Sequence, residues 1–136
     1  MSSRALVSLD VGEKRIGVAV ADVAVRISVP FTTVEVDGNE IATIAELVMQ
    51  QDATIIVLGY PRNQQGEATA QTEYVERFVD RLKDINAKII FQDESLTSVI
   101  AEQRLAAQKK PYSKGDIDAN AASIILQDYL EAHYGY

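Results

Sequence analysis

Two apolar runs separated by a four-residue gap constrain the fold of this chain more than any other feature. Residues 5–10 read Ala-Leu-Val-Ser-Leu-Asp, and residues 15–21 read Arg-Ile-Gly-Val-Ala-Val-Ala. The gap, 11–14, has the length of a hairpin loop, so the two runs predict an antiparallel pair of strands. A third strand is expected at 27–36. Pro30 places it at a sheet edge, or starts it after the proline, because proline cannot donate to a ladder.

Beyond residue 36 the hydrophobic period changes from that of strands to that of helices. Ile41 and Val48 bound an i, i+3, i+4, i+7 pattern that predicts a helix, preceded by Asp37 and Glu40 in an arrangement like a capping box. The further predicted elements are a strand at 54–58, a helix with apolar positions from Val75 to Ile85, a strand at 88–91, a helix at 97–107 and a last helix from about Ile117 to Ala132.

The resulting order is three strands, then helix, strand, helix, strand and two helices. Alternating helices and strands predict parallel strands joined by helical crossovers, whereas the first three strands are antiparallel. We therefore expect one domain over residues 1–136. Its fold class is α/β and RNase H-like, with a five-stranded mixed sheet flanked by helices.

The composition excludes several classes of site. There is no cysteine, which rules out disulfides, thiolate catalysis and cysteine-based zinc sites. No apolar run approaches the ~18 residues of a membrane span. The N-terminal sequence lacks the apolar stretch of a signal peptide, so the expected location is cytoplasmic, with no membrane partner.

The net charge of −7 argues against a whole-surface basic footprint for nucleic acid. A nuclease tolerates such a charge when bound metal ions supply positive charge where the phosphate docks. A local basic patch must then provide the remaining attraction.

Acidic residues stand at the ends of three predicted elements. Asp10 ends the first strand, Asp93 and Glu94 end the last one, and Asp116 and Asp118 open the final helix. Side chains from separate segments converge beyond strand ends in open sheets. Carboxylates are the ligands that Mg²⁺ or Mn²⁺ prefers, and such ions promote phosphodiester hydrolysis. The pattern therefore predicts a divalent-metal site.

Other interpretations of the same acids stay open. Asp116 falls off the apolar side of its helix and is typical of a cap, whereas Asp118 shares the side of Ala121 and Ile125. Asp93 and Glu94 also fit a turn followed by a helix start. Asp10 is harder to explain structurally, because a carboxylate ending a buried strand is costly unless paired or metal-bound.

The first hairpin has a second possible meaning. Gly12 suits the turn, and Gly17 suits a close backbone approach. An aspartate followed by a glycine hairpin also cradles nucleotide phosphates in actin-like and sugar-kinase-like folds. Those enzymes need two such domains around a cleft, and a chain of 136 residues has room for one.

Four segments together resemble the YqgF (RuvX) family, nucleases of pre-16S ribosomal RNA related to the RuvC Holliday junction resolvases. The segments are Leu9–Ala19, Leu58–Gly66, Asp93–Ser98 and Lys114–Leu130. The resemblance implies an RNase H-like fold, bound Mg²⁺ or Mn²⁺, and Asp10, Glu94 and Asp118 as catalytic metal ligands.

The chain departs from the family pattern at three positions. The family usually has arginine where this chain has Ser95, threonine in place of Ser98, and leucine near Tyr60. Loss of a cation beside the acidic centre is expected to weaken phosphate binding or to alter metal affinity.

Basic residues near these segments are the candidate substrate contacts, although an ordinary solvated loop explains them equally well. An aromatic residue, Tyr112, lies among them, and such a combination favours single-stranded or branched nucleic acid. The candidates are Lys14, Arg15, Arg62, Arg104, Lys109, Lys110 and Lys114.

Three functions follow from the sequence and the resemblance. The first is an endonuclease that processes the 5′ end of pre-16S ribosomal RNA in ribosome biogenesis. The second is a Holliday junction resolvase acting on branched DNA, which needs a dimer to cut two strands symmetrically. The third is a non-catalytic protein that binds nucleic acid or the ribosome. The expected assembly is a monomer or a weak homodimer.

Overall fold

The predicted order of elements is confirmed in a computed structural model of the chain. It describes residues 5–61, 67–94, 97–108 and 111–134, with the backbone alone at 94 and 97–99. The strands are β1 (Ala5–Val11), β2 (Arg15–Asp22), β3 (Ser28–Glu35), β4 (Ala53–Pro61) and β5 (Lys88–Glu94). The helices are α1 (Glu40–Gln51), α2 (Ala70–Arg81), α3 (Thr97–Ala107) and α4 (Lys114–Tyr134).

The five strands form one mixed sheet in the order β3-β2-β1-β4-β5. β1 pairs antiparallel with β2, and β2 with β3, while β1 and β5 each pair parallel with β4. β3 is an edge strand, as Pro30 predicted, and its ladder shifts register beside that proline. The helical crossovers to β4 and β5 account for the parallel half of the sheet.

The sheet is covered on both faces, which explains why its central strands are continuously apolar. α1 and α2 pack on one face against Leu9 and Leu58. α4 packs on the other face against Leu6, Ala19 and Val57. α3 contacts α4 through Ala101 and Ile124. No helix in the described part of the chain is long and apolar enough to cross a membrane.

Side-chain hydroxyls fix the position of α4 along the sheet. Ser8 Oγ donates to the carbonyl oxygen of Ala122 at 2.6 Å, and Ser28 Oγ donates to that of Ser123 at 2.6 Å. Thr33 Oγ1 donates to the carbonyl oxygen of Gly115 at 2.8 Å. Because these three bonds join β1 and β3 to one helix, they set which α4 residues lie at the ends of the strands.

α4 begins at Lys114, earlier than the predicted start near Ile117, because Ser113 caps it. The N–H of Asp116 donates to Ser113 Oγ at 3.2 Å, and the N–H of Ser113 donates to Asp116 Oδ2 at 2.9 Å. This reciprocal pair confirms Asp116 as a capping residue.

Two other helix predictions were wrong in part. α2 ends at Arg81, so Ile85 lies beyond the helix, although it still packs against the core. Asp37 and Glu40 form no capping box, because Glu40 is already the first residue of α1 and Asn39 is its N-cap. The Glu40 carboxylate instead accepts the N–H of Gly38 at 2.7 Å and pairs with Arg81 at 2.9 Å.

Glu40→Gln is expected to destabilise the fold at neutral pH and to have little effect in acid. The Glu40 side chain is 3 % exposed, and backbone hydrogen bonds, with help from Arg81, lower its pKa in spite of burial. A carboxyl whose pKa is lower in the folded state stabilises the fold above the unfolded pKa. That contribution disappears as the pH falls through the folded pKa. We expect a loss of about 1.5–3 kcal/mol at pH 7, measured by urea unfolding.

The matched control is Glu46→Gln, an exposed carboxylate on the same helix. It should change the free energy of unfolding by no more than about 0.5 kcal/mol at either pH. Equal effects of the two substitutions at pH 7 would contradict the assigned role of Glu40.

Candidate active site

Asp10 and Asp118 are brought together by the contact of α4 with the first hairpin. Asp10 is opposite Gly17 in the antiparallel pairing of β1 with β2, and paired residues of an antiparallel ladder lie on the same face. Asp118, in the second turn of α4, lies against Gly17 through its own backbone. The two acidic positions therefore flank one glycine at the carboxyl end of β1.

Gly17 makes this approach possible because it has no side chain. A Cβ atom at this position would lie 1.9 Å from the carbonyl oxygen of Asp118 and 2.9 Å from the amide nitrogen of Ala119. Both are backbone atoms, so neither moves without displacing the helix. The close approach that the sequence suggested for Gly17 is present, and its partner is the backbone of α4.

Arg15 pairs directly with one of the candidate ligands. Its Nε donates to Asp118 Oδ2 at 2.9 Å, and both side chains are about one-quarter exposed, at 29 % and 25 %. The pair orients the Asp118 carboxylate and offsets its negative charge. Sequence reasoning assigned Arg15 to the substrate and missed this partner. The available signal was strand alternation, which places Arg15 on the same face of β2 as Gly17.

The two acidic residues at the end of β5 are consecutive, so strand alternation assigns them to opposite faces of the sheet. Asp93 pairs in register with Tyr60, and Glu94 with Pro61. Ile90 packs in the cluster beneath α4, and Asp93, three residues further along the strand, belongs to the opposite face. The side chain of Glu94 lies outside the described residues. Of this pair, Asp93 is therefore the one that the fold disfavours as a partner of Asp10.

The donor chemistry at Gly17 fits a hard divalent cation. Asp10 and Asp118 offer carboxylate oxygens, and the chain has no cysteine to favour a softer metal. Within the described ranges, which omit the Glu94 side chain, no group of three or more acidic, histidine or cysteine side chains is placed to hold a metal ion. The three-carboxylate centre stays a prediction.

The predicted basic contacts are not all near Asp118. Lys14 is exposed on the hairpin turn, and Lys114 is exposed in the first turn of α4. Arg104, in contrast, lies near Asp128, whose pKa burial raises and Arg104 partly lowers. Asp128 is ten residues beyond Asp118, about 15 Å along the helix. Arg62, Lys109, Lys110 and Ser95 lie outside the described residues.

Sequence reasoning also missed a groove beside this site. It has a volume of about 720 Å³ and lies between β3 and the first turn of α4. Arg15 lines the groove together with Phe31 and Lys114. The candidate acidic site therefore adjoins an open surface that includes both an aromatic ring and a cation.

Comparison with known proteins identifies the family to which the sequence is similar. The family model RuvX, described as Holliday junction resolvase, matches residues 4–132. A relative from Chloroflexus aggregans, named "Putative pre-16S rRNA nuclease", is 45% identical over 97% of this chain and 96% of its own length. A relative of the same name from Synechocystis is 39% identical over 93% of this chain and 87% of its own length.

Solved structures share the fold at much lower sequence identity. RuvC of T. thermophilus, solved in complex with a Holliday junction substrate, has a TM-score of 0.62 and is 11% identical, covering 97% of this chain and 96% of its own. The fowlpox virus Holliday junction resolvase has a TM-score of 0.54 and is 16% identical, covering 94% of this chain and 99% of its own. These likenesses confirm the RNase H-like fold.

Proposed function

Because this chain belongs to the RuvX family, we propose that it is a metal-dependent endonuclease that hydrolyses phosphodiester bonds in precursors of 16S ribosomal RNA. The observation that carries the proposal is the meeting of Asp10 and Asp118 across Gly17. Two carboxylates from the first strand and the last helix then face one end of the sheet. A ribosomal RNA substrate places the activity in the cytoplasm.

Different residues would bind the metal ion, orient a carboxylate ligand and contact the phosphate. Asp10 and Asp118 would hold Mg²⁺ or Mn²⁺, with Glu94 as the predicted third ligand. When bound, the ion supplies positive charge to the phosphate and lowers the pKa of an attacking water. The ladder of β1 fixes the backbone of Asp10, and Arg15 holds the carboxylate of Asp118. Lys114 lies exposed where it can meet a neighbouring phosphate.

Resolution of Holliday junctions is the second candidate, because the family model and the solved structures carry that description. The relatives from Chloroflexus aggregans and Synechocystis, which are named for pre-16S ribosomal RNA, are 45% and 39% identical to this chain, whereas T. thermophilus RuvC is 11% identical, so ribosomal RNA is favoured. A resolvase also requires a symmetric dimer to cut both strands.

The test is a cleavage assay on matched substrates with Mg²⁺ or Mn²⁺. The substrates are an RNA spanning the 5′ precursor junction of 16S ribosomal RNA, a DNA strand of the same sequence and a four-way DNA junction. We expect metal-dependent cleavage of the RNA, abolished by EDTA. Preferential cutting of the junction by a dimeric species would instead establish the resolvase. Binding of RNA without cleavage under any metal would establish a non-catalytic role.

A further inference from the structure

The groove between β3 and α4 continues directly from the candidate acidic site. Arg15 lines the groove and also bonds Asp118. Ala119, the residue after Asp118, forms part of its wall. A nucleic-acid strand whose phosphate lies at Asp118 therefore has this groove as a neighbouring surface.

Phe31 lies at a bulge in β3 and lines the groove. The ladder pairs Pro30 with Ala19 and Thr32 with Val18, so Phe31 is an extra residue with no partner on β2. Such a bulge re-aims a side chain out of the regular alternation of its strand. Phe31 is 44% exposed. Its ring forms no aromatic pair with any ring in the described ranges.

The opposite side of the groove offers groups that suit a phosphate. Lys114 is exposed there, and the N–H groups of the first two residues of α4 lack acceptors within the helix, whereas that of Asp116 donates to Ser113 Oγ. Two carboxylates also line the groove. Asp116 accepts the N–H of Ser113, and Glu35 lies across the ladder from Arg15. Because the charges nearly balance, stacking on Phe31 rather than net charge must supply most of the affinity.

We propose that this groove binds one unpaired nucleotide beside the scissile phosphate, with its base on Phe31 and its phosphate at Lys114. The inference rests on the proposed nuclease function and adds a substrate class, single-stranded nucleic acid next to the cut. A paired base cannot serve, because its faces are covered by its neighbours in the duplex stack. Stacking on an aromatic ring is tolerant of base identity, so the groove selects strandedness rather than sequence.

The experiment exploits the absence of tryptophan from this chain. Phe31→Trp places the sole indole of the protein in the groove, and Phe91→Trp is the matched control. Phe91 is 42% exposed on the opposite edge strand, β5, away from the groove. Each variant is titrated with a ten-nucleotide single-stranded RNA, with DNA of the same sequence, with the duplex, and with an RNA carrying abasic positions. Ca²⁺ replaces Mg²⁺ during binding, since it takes the same oxygen ligands.

We expect single-stranded RNA or DNA to quench the indole fluorescence of Phe31→Trp, the duplex and the abasic RNA to leave it unquenched, and Phe91→Trp to show no response. Phe31→Ala should weaken binding by about fivefold to hundredfold and raise KM accordingly, whereas Phe91→Ala changes neither.

The inference is overturned if RNA binds Phe31→Trp, by anisotropy, without quenching its indole, or if the Phe91 variants respond equally. If the wild type cleaves RNA and Phe31→Ala leaves the KM unchanged, the nucleotide site in the groove is rejected but the nuclease function is not. A wild type that neither binds nor cleaves nucleic acid would reject the nuclease function as well.

Discussion

Asp10→Asn is expected to abolish metal-dependent cleavage while leaving the fold intact. Asparagine has the same shape but no charge and is a poorer ligand for Mg²⁺ or Mn²⁺. Metal ions stabilise such transition states by several kcal/mol, so the rate should fall at least about a hundredfold. The fold should persist because Asp10 pairs through its backbone with Gly17, and an amide leaves that ladder unchanged.

A second readout separates metal binding from catalysis. A cation that binds only the folded state stabilises it by about 2.7 kcal/mol at a hundredfold excess over Kd, which raises Tm by several degrees. We expect this shift for the wild type and not for Asp10→Asn.

Asp116→Asn is the matched control for Asp10→Asn. Asp116 belongs to the same helix start as Asp118 but is engaged in capping with Ser113. Asparagine caps helices about as well as aspartate, so both cleavage and the metal shift should survive. An inactive Asp116→Asn beside an active Asp10→Asn would show that the site has been assigned to the wrong residues.

Gly17→Ala is expected to be the most damaging single substitution for stability. The new methyl group would lie 1.9 Å from the carbonyl oxygen of Asp118, so α4 must move away from the sheet. That movement also disturbs the buried bond from Ser8 Oγ to Ala122. Overpacking against side chains costs about 1–3 kcal/mol, and a clash with backbone should reach the upper end or exceed it. Urea unfolding measures the loss.

Gly115→Ala provides the comparison, because Gly115 lies in the first turn of α4 and faces Thr33 of β3. Its Cβ would lie 3.2 Å from Thr33 Oγ1, so the hydroxyl that bonds the Gly115 carbonyl oxygen needs to give way by only a few tenths of an ångström. Alanine is also the better helix former. We expect this variant to stay within about 1 kcal/mol of the wild type. If Gly17→Ala were equally mild, α4 would not need its present approach to β2, and the juxtaposition of Asp10 with Asp118 would lose its structural basis.

The order of elements and the edge position of β3 could be predicted from the sequence because both depend on local properties. Hydrophobic period distinguishes strands from helices within a few residues, and Pro30 cannot donate to a ladder wherever it lies. The capping role of Asp116 followed in the same way, from its position off the apolar side of its own helix. The core-facing side of Asp118 also needed only the helical period.

Partnerships between distant segments were decided by the tertiary structure alone. Helical period indicates that Asp118 faces the core side of its helix, but it does not indicate that Arg15 of the first hairpin meets it. Glu40 was interpreted as a local cap for the same reason, since its partner Arg81 lies on another helix. The preference against Asp93 required knowledge of which face of β5 the last helix covers.

The sequence by itself determined which residues could form an acidic site, because strand ends and helix starts are local features. The tertiary structure decided which of them converge, because that depends on how closely two backbones approach. At Gly17 the approach leaves no room for a Cβ atom, and it brings Asp118 from the last helix to Asp10 in the first strand. The groove at Phe31 has the same origin, since its two walls come from β3 and α4, which are far apart in the chain.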